Sequence, residues 1–403
     1  MSLTSAGEKA RAKVRVAPRL NAVLARELAE IEAQGNRRAL IETSPGAAGA
    51  LVRDGAALLD FSSNDYLGLA QHPALIERAR EWTARHGTGA GASRLVTGTM
   101  PAHLAIEQRV ARMKGTEAAL LFATGWQANV SIISALLRAM PGAAVLCDEL
   151  VHNSMHYGYR AGRAAVVRFR HNDPAHLETL LREQADAPAR LILTESVFSM
   201  DGDCADLAAL SALARDHDAF LFVDEAHATG VLGPGGAGLT AAFPPGTFDC
   251  VMGTFSKALG SAGAYVAGSR TLIDYLVNRS AGFIFSTAPP PGTLGAIDAA
   301  LDLVPAMEAE RAHLAALGED LRERLGALGI ETGASTTHIV PAIIGGARET
   351  VALGRALAEA GFLAAPIRPP TVPPGTSRIR LALRASHRFE DIDALVAALV
   401  AAR

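Results

Sequence analysis

The chain contains an acidic residue at the end of an apolar run, followed three residues later by a histidine. The segment FLFVDEAH places Asp224 and His227 at these positions. Two interpretations are open. Asp224 could cap a helix beside a surface histidine, or its carboxylate could hold a proton on a heterocyclic nitrogen while His227 touches the same ring.

A lysine follows another apolar run further along the chain. Lys257 lies in GTFSKALG, three residues after Thr254. An isolated lysine is usually a solvated charge, but apolar neighbours would desolvate this amine and lower its pKa. An unprotonated lysine amine is a nucleophile toward aldehydes. The sequence therefore predicts carbonyl chemistry at Lys257.

Further polar residues follow three other aliphatic runs. Gly125 and Trp126 follow LLFAT, His152 follows AVLCD, and Ser199 follows LILTE. In an open parallel α/β sheet, functional groups collect just beyond the carboxyl ends of the strands. A lone histidine in such a place is more often structural, so the role of His152 depends on its neighbours.

Short aliphatic runs alternate with helix-length segments from about residue 118 to residue 267. This alternation predicts an α/β domain in which helices cover a mostly parallel sheet. Ahead of this domain, apolar residues at helical spacing predict an amphipathic helix over residues 19–33, whose apolar face is expected to pack instead of standing free.

The run Pro289 to Pro291 breaks regular structure and predicts a domain junction. We expect an N-terminal segment over residues 1–60, a large domain over 61–290 and a smaller α+β domain over 291–403. In the last part, helical periodicity covers 294–304 and 314–328. The strand-like runs HIVPAIIGG, FLAAPI and RIRLALRA follow, and a closing helix is predicted near 389–402.

Composition excludes several classes of partner. The chain has 403 residues and a formal net charge of −3 with scattered basic residues, so no nucleic-acid partner is expected. Its three cysteines are far apart and form no C-x-x-C, which argues against disulfides and metal sites. No apolar run reaches the ~18 residues of a membrane helix. The N-terminus MSLTSAGEKARAKVR lacks the apolar core of a secretory signal. A cytoplasmic location is expected.

The ordered set of strand-end residues resembles the α-oxoamine synthase family of fold-type-I pyridoxal-phosphate enzymes. The resemblance extends over essentially the whole chain from about Arg38. The matching segments are FSSNDYLGL (61–69), GASRLVTGT (91–99), TGWQAN (124–129), DELVHNS (148–154), TESVFSMDGD (194–203), VDEAHATG (223–230), GTFSKALG (253–260) and IRPPTVPPGTSRIRL (367–381).

The resemblance implies roles for five residues around the ring of pyridoxal 5'-phosphate. Lys257 would bind the cofactor covalently and later remove the substrate Cα proton as a general base. Asp224 would keep the pyridine nitrogen protonated, and His227 with Ser199 would hydrogen-bond the ring hydroxyl. His152 would stack on the ring face and polarise the incoming thioester carbonyl.

The resemblance also implies how the two charged ends of cofactor and substrate are held. The phosphate would lie on backbone donors of Gly125 and Trp126 at a helix N-terminus, with the Thr254 hydroxyl. Arg380, assisted by Asn64, would pair with the amino-acid carboxylate. On the residues alone, the sequence slightly favours the alternative that Arg380 is an outward-facing strand arginine.

Within the family, the run IRPPTVP resembles the member that condenses L-alanine with a pimeloyl thioester in biotin synthesis. Arg38, Arg368 and Thr371 would line the entrance for the acyl donor, which could be carried by coenzyme A or by an acyl carrier protein. The siblings that make 5-aminolevulinate, 2-amino-3-oxobutyrate or ketosphinganine differ in this run. The resemblance further implies a homodimer with the site at the subunit boundary.

Three rival functions are weighed against this one. A nicotinamide dehydrogenase is suggested by Gly87-Thr-Gly89-Ala-Gly91-Ala92, but this glycine-rich stretch follows a helix-like segment instead of a strand. A plain aminotransferase would use the same cofactor-binding residues, but it would not explain the presence of the IRPPTVP segment. A non-catalytic binding module has no need for a desolvated lysine paired with Asp-x-x-His.

Overall fold

The computed structural model describes residues 18–46 and 50–402. The N-terminal segment MSLTSAGEKARAKVR, which is predicted not to be a secretory signal, lies outside the described residues. The helices are α1 Pro18–Ala33, α2 Pro73–His86, α3 Pro101–Lys114, α4 Gly125–Ala139, α5 Asn153–Ala161, α6 Pro174–Glu183, α7 Leu207–Asp216, α8 Arg270–Arg279, α9 Ala281–Ile284, α10 Pro291–Leu303, α11 Glu308–Ala327, α12 Ala347–Glu359 and α13 Phe389–Ala401. The strands are β1 Ser44–Pro45, β2 Ala50–Arg53, β3 Ala56–Asp60, β4 Ala118–Phe122, β5 Ala144–Asp148, β6 Val166–Phe169, β7 Arg190–Glu195, β8 Ala219–Asp224, β9 Cys250–Thr254, β10 Ala264–Gly268, β11 Ile339–Gly345, β12 Phe362–Leu363, β13 Ala365–Ile367 and β14 Ser377–Ala382.

The central sheet confirms the predicted α/β class. Its seven strands lie in the order β4-β10-β9-β8-β7-β5-β6, and β10 is antiparallel to both of its neighbours. The pairs from β9 to β6 are parallel. Every residue of β4, β5, β9 and β10 is buried, which explains why these strands are continuous apolar runs in the sequence.

The register of the parallel strands brings several polar residues to one edge of the sheet. Glu195, the last residue of β7, pairs with Asp224, the last residue of β8. On the next strand, Asp224 lies opposite Met252, two residues before Thr254. The carboxyl ends of parallel strands meet at the same edge, so the loops that follow them converge.

The remaining strands form two smaller sheets. Strands β11, β14 and β13 form an antiparallel sheet in the order β11-β14-β13. The other sheet has the order β1-β2-β3-β12. Strand β12 pairs in parallel with β3, so this sheet combines strands from the beginning and the end of the chain. Helix α10, which begins at Pro291, packs on α2. The domain boundaries remain predictions.

Helix α1 confirms the predicted helix, but no part of the described chain covers its apolar face, so the prediction that this face packs remains a prediction. Its apolar side chains are between 37% and 52% exposed, namely Leu20, Val23, Leu24, Leu28 and Ile31. Helical periodicity shows that one face is apolar, but it does not show which surface covers that face.

No helix in the described part of the chain is long and apolar enough to cross a membrane. Residues 18–46 and 50–402 also contain no group of three histidine, cysteine or carboxylate side chains arranged to hold a metal ion.

Candidate active site

Asp224 is fixed at the sheet edge by two hydrogen bonds. Its Oδ2 accepts from the side-chain amide of Asn129 at 2.8 Å, and its Oδ1 accepts from the backbone N–H of Ala226 at 2.8 Å. His227 is only 6% exposed, so the interpretation of a capping aspartate beside a surface histidine is wrong. The carboxylate is therefore buried in one orientation beside a buried imidazole.

His227 contacts a tyrosine that the sequence analysis did not select. Its Nδ1 lies 2.6 Å from the hydroxyl of Tyr66, which is completely buried. Burial, together with the positive charges of Lys257 and Arg380, lowers the pKa of His227 well below its usual value. His227 is thus a neutral imidazole at physiological pH. Tyr66 lies within FSSNDYLGL, so only its pairing with His227 required the structure.

Arg380 points inward from β14 and is 5% exposed, so the outward-facing interpretation is wrong. Its Nε donates to the Ser199 carbonyl at 2.6 Å. Its two terminal nitrogens donate to Asn64 Oδ1 at 3.1 Å and to the Tyr66 hydroxyl at 3.3 Å. A guanidinium held in one plane can bind a carboxylate with two parallel hydrogen bonds. The structure thus brings Arg380 and Asn64 together as the sequence predicted.

Lys257 lies among these charges. Desolvation lowers the pKa of its amine to about 8, although the carboxylates of Asp224 and Glu195 oppose the change. An appreciable fraction of this amine is therefore unprotonated near neutral pH, as the nucleophile and base roles require.

Glu195 is a second site residue that the sequence analysis missed. It is 2% exposed. Burial, followed by the nearby Asp224 carboxylate, raises its pKa well above the usual value. It accepts a hydrogen bond from the backbone N–H of His152. Its position at the end of LILTE, in parallel register with Asp224, is the signal that could have identified it.

His152 is positioned through Ser154, which is fully buried. The Ser154 Oγ accepts from Asn129 at 2.9 Å and lies 2.7 Å from His152 Nδ1. The ring of Trp126 lies perpendicular to the His152 ring, with centroids 6.1 Å apart. Asn129 thus connects the Asp224 carboxylate to the predicted ring-stacking histidine.

The start of α4 has the features of an anion site. Thr124 caps the helix by accepting from the backbone N–H of Gln127 at 3.1 Å. The first N–H groups of a helix have no partner within the helix, and here they belong to Gly125 and Trp126. A Cβ on Gly125 would come within 2.8 Å of Thr254 Cγ2. The Thr254 hydroxyl is buried and has no hydrogen-bond partner among the described residues.

Two of the three residues predicted to line the acyl-donor entrance contact each other, and the third is adjacent in sequence to a residue that one of them binds. Arg368 donates to the backbone carbonyl of Arg37 at 3.3 Å, next to the exposed Arg38. Thr371 donates its backbone N–H to the Arg368 carbonyl at 3.1 Å. Their roles toward the acyl donor remain predictions.

His171 joins two of the loops that carry site residues. Its Nδ1 lies 3.0 Å from Asp148, four residues before His152, and its Nε2 lies 2.9 Å from Asp203, which closes the loop of Ser199. Although burial opposes the change, the hydrogen bonds that His171 donates to Asp148 and Asp203 raise its pKa to about 10. A protonated imidazole therefore ties both loops together.

Because His171 bridges Asp148 and Asp203, we expect the stability of the folded chain to depend on pH. The pKa of His171 is higher in the folded chain than in the unfolded chain. Its contribution to the free energy of unfolding is therefore complete below the unfolded-state pKa of about 6.5 and is lost as the pH rises through about 10. The difference in unfolding free energy between wild type and His171→Gln should therefore narrow over this range, by at most about 1.4 kcal/mol per pH unit. Urea unfolding from pH 6 to pH 10.5 measures this difference.

The exposed His86 at the end of α2 supplies the control variant, His86→Gln. Its unfolding free energy should follow that of the wild type at every pH. A His171→Gln deficit that stays constant from pH 6 to pH 10.5 would contradict the raised pKa.

Comparison with known proteins gives one family and a consistent set of relatives. The model of the family "Aminotransferase class I and II" matches residues 56–399. The 8-amino-7-oxononanoate synthase of Gluconacetobacter diazotrophicus is 59% identical over 353 residues, covering 86% of this chain and 88% of that protein. The enzyme of the same name from Geobacter sulfurreducens is 47% identical over 379 residues, covering 93% and 96%.

Two solved structures share the fold. A serine palmitoyltransferase variant from S. paucimobilis with bound PLP-myriocin aldimine is 29% identical, with a TM-score of 0.88 and coverage of 96% of this chain and 98% of that chain. The 8-amino-7-oxononanoate synthase of Francisella tularensis is 24% identical, with a TM-score of 0.75 and coverage of 85% and 96%, and it supports the fold alone.

Proposed function

The chain belongs to the aminotransferase class I and II family, and we propose that it is the acyltransferase of this family that makes 8-amino-7-oxononanoate in biotin synthesis. It joins the Cα of L-alanine to the carbonyl carbon of a pimeloyl thioester. The thiol leaves, and the alanine carboxylate is lost as carbon dioxide. The observation that carries the proposal is the convergence of Lys257, Asp224 and Arg380 on one site, in a chain whose relatives bear this name.

The residues at the site fit pyridoxal 5'-phosphate. The Thr254 hydroxyl, which has no partner within the described part of the chain, and the first N–H groups of α4 match a phosphate. The fixed carboxylate of Asp224 matches a protonated ring nitrogen, and the amine of Lys257, with its pKa lowered to about 8, matches an aldehyde. When bound, the cofactor accepts the electron pair that the substrate Cα releases.

The protein's own residues orient the substrate and move its proton. Arg380 and Asn64 hold the alanine carboxylate, which fixes the position of the Cα–H bond. Lys257 takes the Cα proton, because desolvation lowers the pKa of its amine to about 8 and an appreciable fraction is unprotonated near neutral pH. His152, held by Ser154 and Asn129, polarises the thioester carbonyl.

The function is tested by incubating the holoenzyme with each of several amino acids and acyl thioesters, and by measuring carbon dioxide and free thiol. Alanine with a pimeloyl thioester should give the highest rate, and carriage by coenzyme A or by an acyl carrier protein is compared in parallel. A higher rate with glycine and an acetyl or succinyl thioester would identify glycine C-acetyltransferase or 5-aminolevulinate synthase instead. Amino transfer without carbon dioxide release would identify an aminotransferase.

Asp224→Asn should slow exchange of the alanine Cα proton by on the order of a thousandfold. Two unit charges about 4 Å apart at an effective dielectric of about 20 interact by roughly 4 kcal/mol, and each ~1.4 kcal/mol is a factor of ten in rate. The substitution removes the charge at nearly constant size, so fold and cofactor binding should survive. Exchange is measured by NMR in deuterated water.

His227→Ala is the comparison variant, because a neutral hydrogen bond is worth only about 1 kcal/mol. Its exchange rate should fall much less than that of Asp224→Asn. If exchange in the Asn variant stays within about threefold of the wild-type rate, Asp224 does not hold the ring nitrogen.

The homodimer remains part of the proposal, and two exposed apolar surfaces support it. One is the apolar face of α1. The other joins Leu95 and Val96, 52% and 75% exposed, to Phe285, 84% exposed, through the bridge between Ser93 and Thr287. Exposed patches of this kind mark association sites. A cytoplasmic location also remains part of the proposal.

Sedimentation equilibrium should show a dimer, and Val96→Glu combined with Phe285→Glu should shift it toward monomer with loss of activity. Burying two carboxylates in an apolar contact is unfavourable. Val400→Glu, which alters an exposed residue of α13, is the control and should leave the dimer intact. A wild-type monomer with full activity would rule the dimer out.

A further inference from the structure

A buried histidine lies beside the arginine proposed to hold the substrate carboxylate. His338 immediately precedes β11 and is 2% exposed. Its backbone carbonyl accepts the N–H of Leu383, just beyond the end of the strand that carries Arg380. Its ring packs on Tyr66, with ring centroids 4.0 Å apart and an interplanar angle of 66°. His338 is thus part of the wall formed by Tyr66 and Arg380.

Both ring nitrogens of His338 are buried and have no hydrogen-bond partner among the described residues. Two other buried histidines are fully satisfied. His387 accepts from the Arg384 backbone N–H at 3.1 Å and contacts the Asp60 carbonyl at 3.1 Å. His103 accepts from the Met100 backbone N–H at 3.1 Å and contacts the Pro289 carbonyl at 3.1 Å. Buried polar atoms in proteins nearly always have partners, so the partner of His338 is expected to come from outside the chain.

The surroundings of His338 define the chemistry of that partner. Burial, followed by the positive charge of Arg380, lowers the pKa of His338 to about 3, so its ring is neutral and carries one N–H donor. The nearby guanidinium of Arg380 favours an anionic group. A carboxylate with two oxygens can accept from both the guanidinium and an additional N–H group.

We propose that His338 is a substrate-binding residue whose ring N–H donates a hydrogen bond to the carboxylate of the amino-acid substrate, beside Arg380. This inference rests on the proposed function, because it takes the substrate to be L-alanine. The alternative is that the ring only packs against Tyr66.

The test compares two ligands in the holoenzyme without an acyl donor. The dissociation constants of L-alanine and of ethylamine, which lacks the carboxylate, are measured from the change in cofactor absorbance. His338→Leu removes both ring nitrogens. It should raise the dissociation constant of alanine by about tenfold, the size expected for one hydrogen bond to a charged group. The dissociation constant of ethylamine should change by less than about twofold, because it has no group for His338 to bind.

Two amide variants keep the inference testable if the leucine variant does not fold. His338→Asn places an amide near the position of Nδ1, and His338→Gln places one near Nε2. At least one of them should bind alanine within about threefold of the wild type, because it keeps an N–H donor. His103→Leu is the matched control for loss of a buried imidazole and should affect alanine and ethylamine alike.

Three outcomes would overturn the inference. His338→Leu could weaken the binding of alanine and ethylamine equally, it could leave alanine binding unchanged, or neither amide variant could restore alanine binding. Failure of the proposed function would appear elsewhere, as a wild-type holoenzyme that does not bind alanine.

Discussion

The active site depends on two buried carboxylates that the sheet register places side by side. Glu195 and Asp224 end neighbouring parallel strands and pair directly. Burial raises the pKa of Glu195 well above its usual value, and the nearby Asp224 carboxylate adds to this rise. The positive charge of protonated Lys257 opposes this rise. The Asp224 carboxylate favours a protonated nitrogen in any ring that lies over it.

Arg380 adds the complementary charge to the site. Its guanidinium lies near the neutral polar groups of Asn64, Tyr66 and His338. The site thus contains a carboxylate on β8 and a guanidinium on β14. An amino acid has an amine at one end and a carboxylate at the other, so this division of charge gives it one preferred orientation.

A second layer of charged groups holds these walls in place. His171 ties the loop that leads to His152 to the loop of Ser199 through Asp148 and Asp203. Behind the sheet edge, Glu225 directly follows Asp224, but it binds the fully buried Lys114. Neighbouring residues of one turn therefore serve different purposes, since one carboxylate faces the site and the other anchors the turn to α3.

The helices, the strands and the strand-end residues of the site could be predicted from the amino-acid sequence alone. Strand and helix periodicity depends on neighbouring residues, so the central sheet, α1 and the positions of Lys257, Asp224 and His227 could be predicted. The folded chain was needed to establish that Arg380 points inward, that Tyr66 contacts His227 and that Glu195 pairs with Asp224. It also established that the ring nitrogens of His338 have no hydrogen-bond partner among the described residues. These facts follow from strand order and from packing between segments far apart in the chain, as with Tyr66 and His227, which are 161 residues apart. The apolar face of α1 was visible in the sequence, but its exposure was not, because periodicity carries no information about which surface covers a helix.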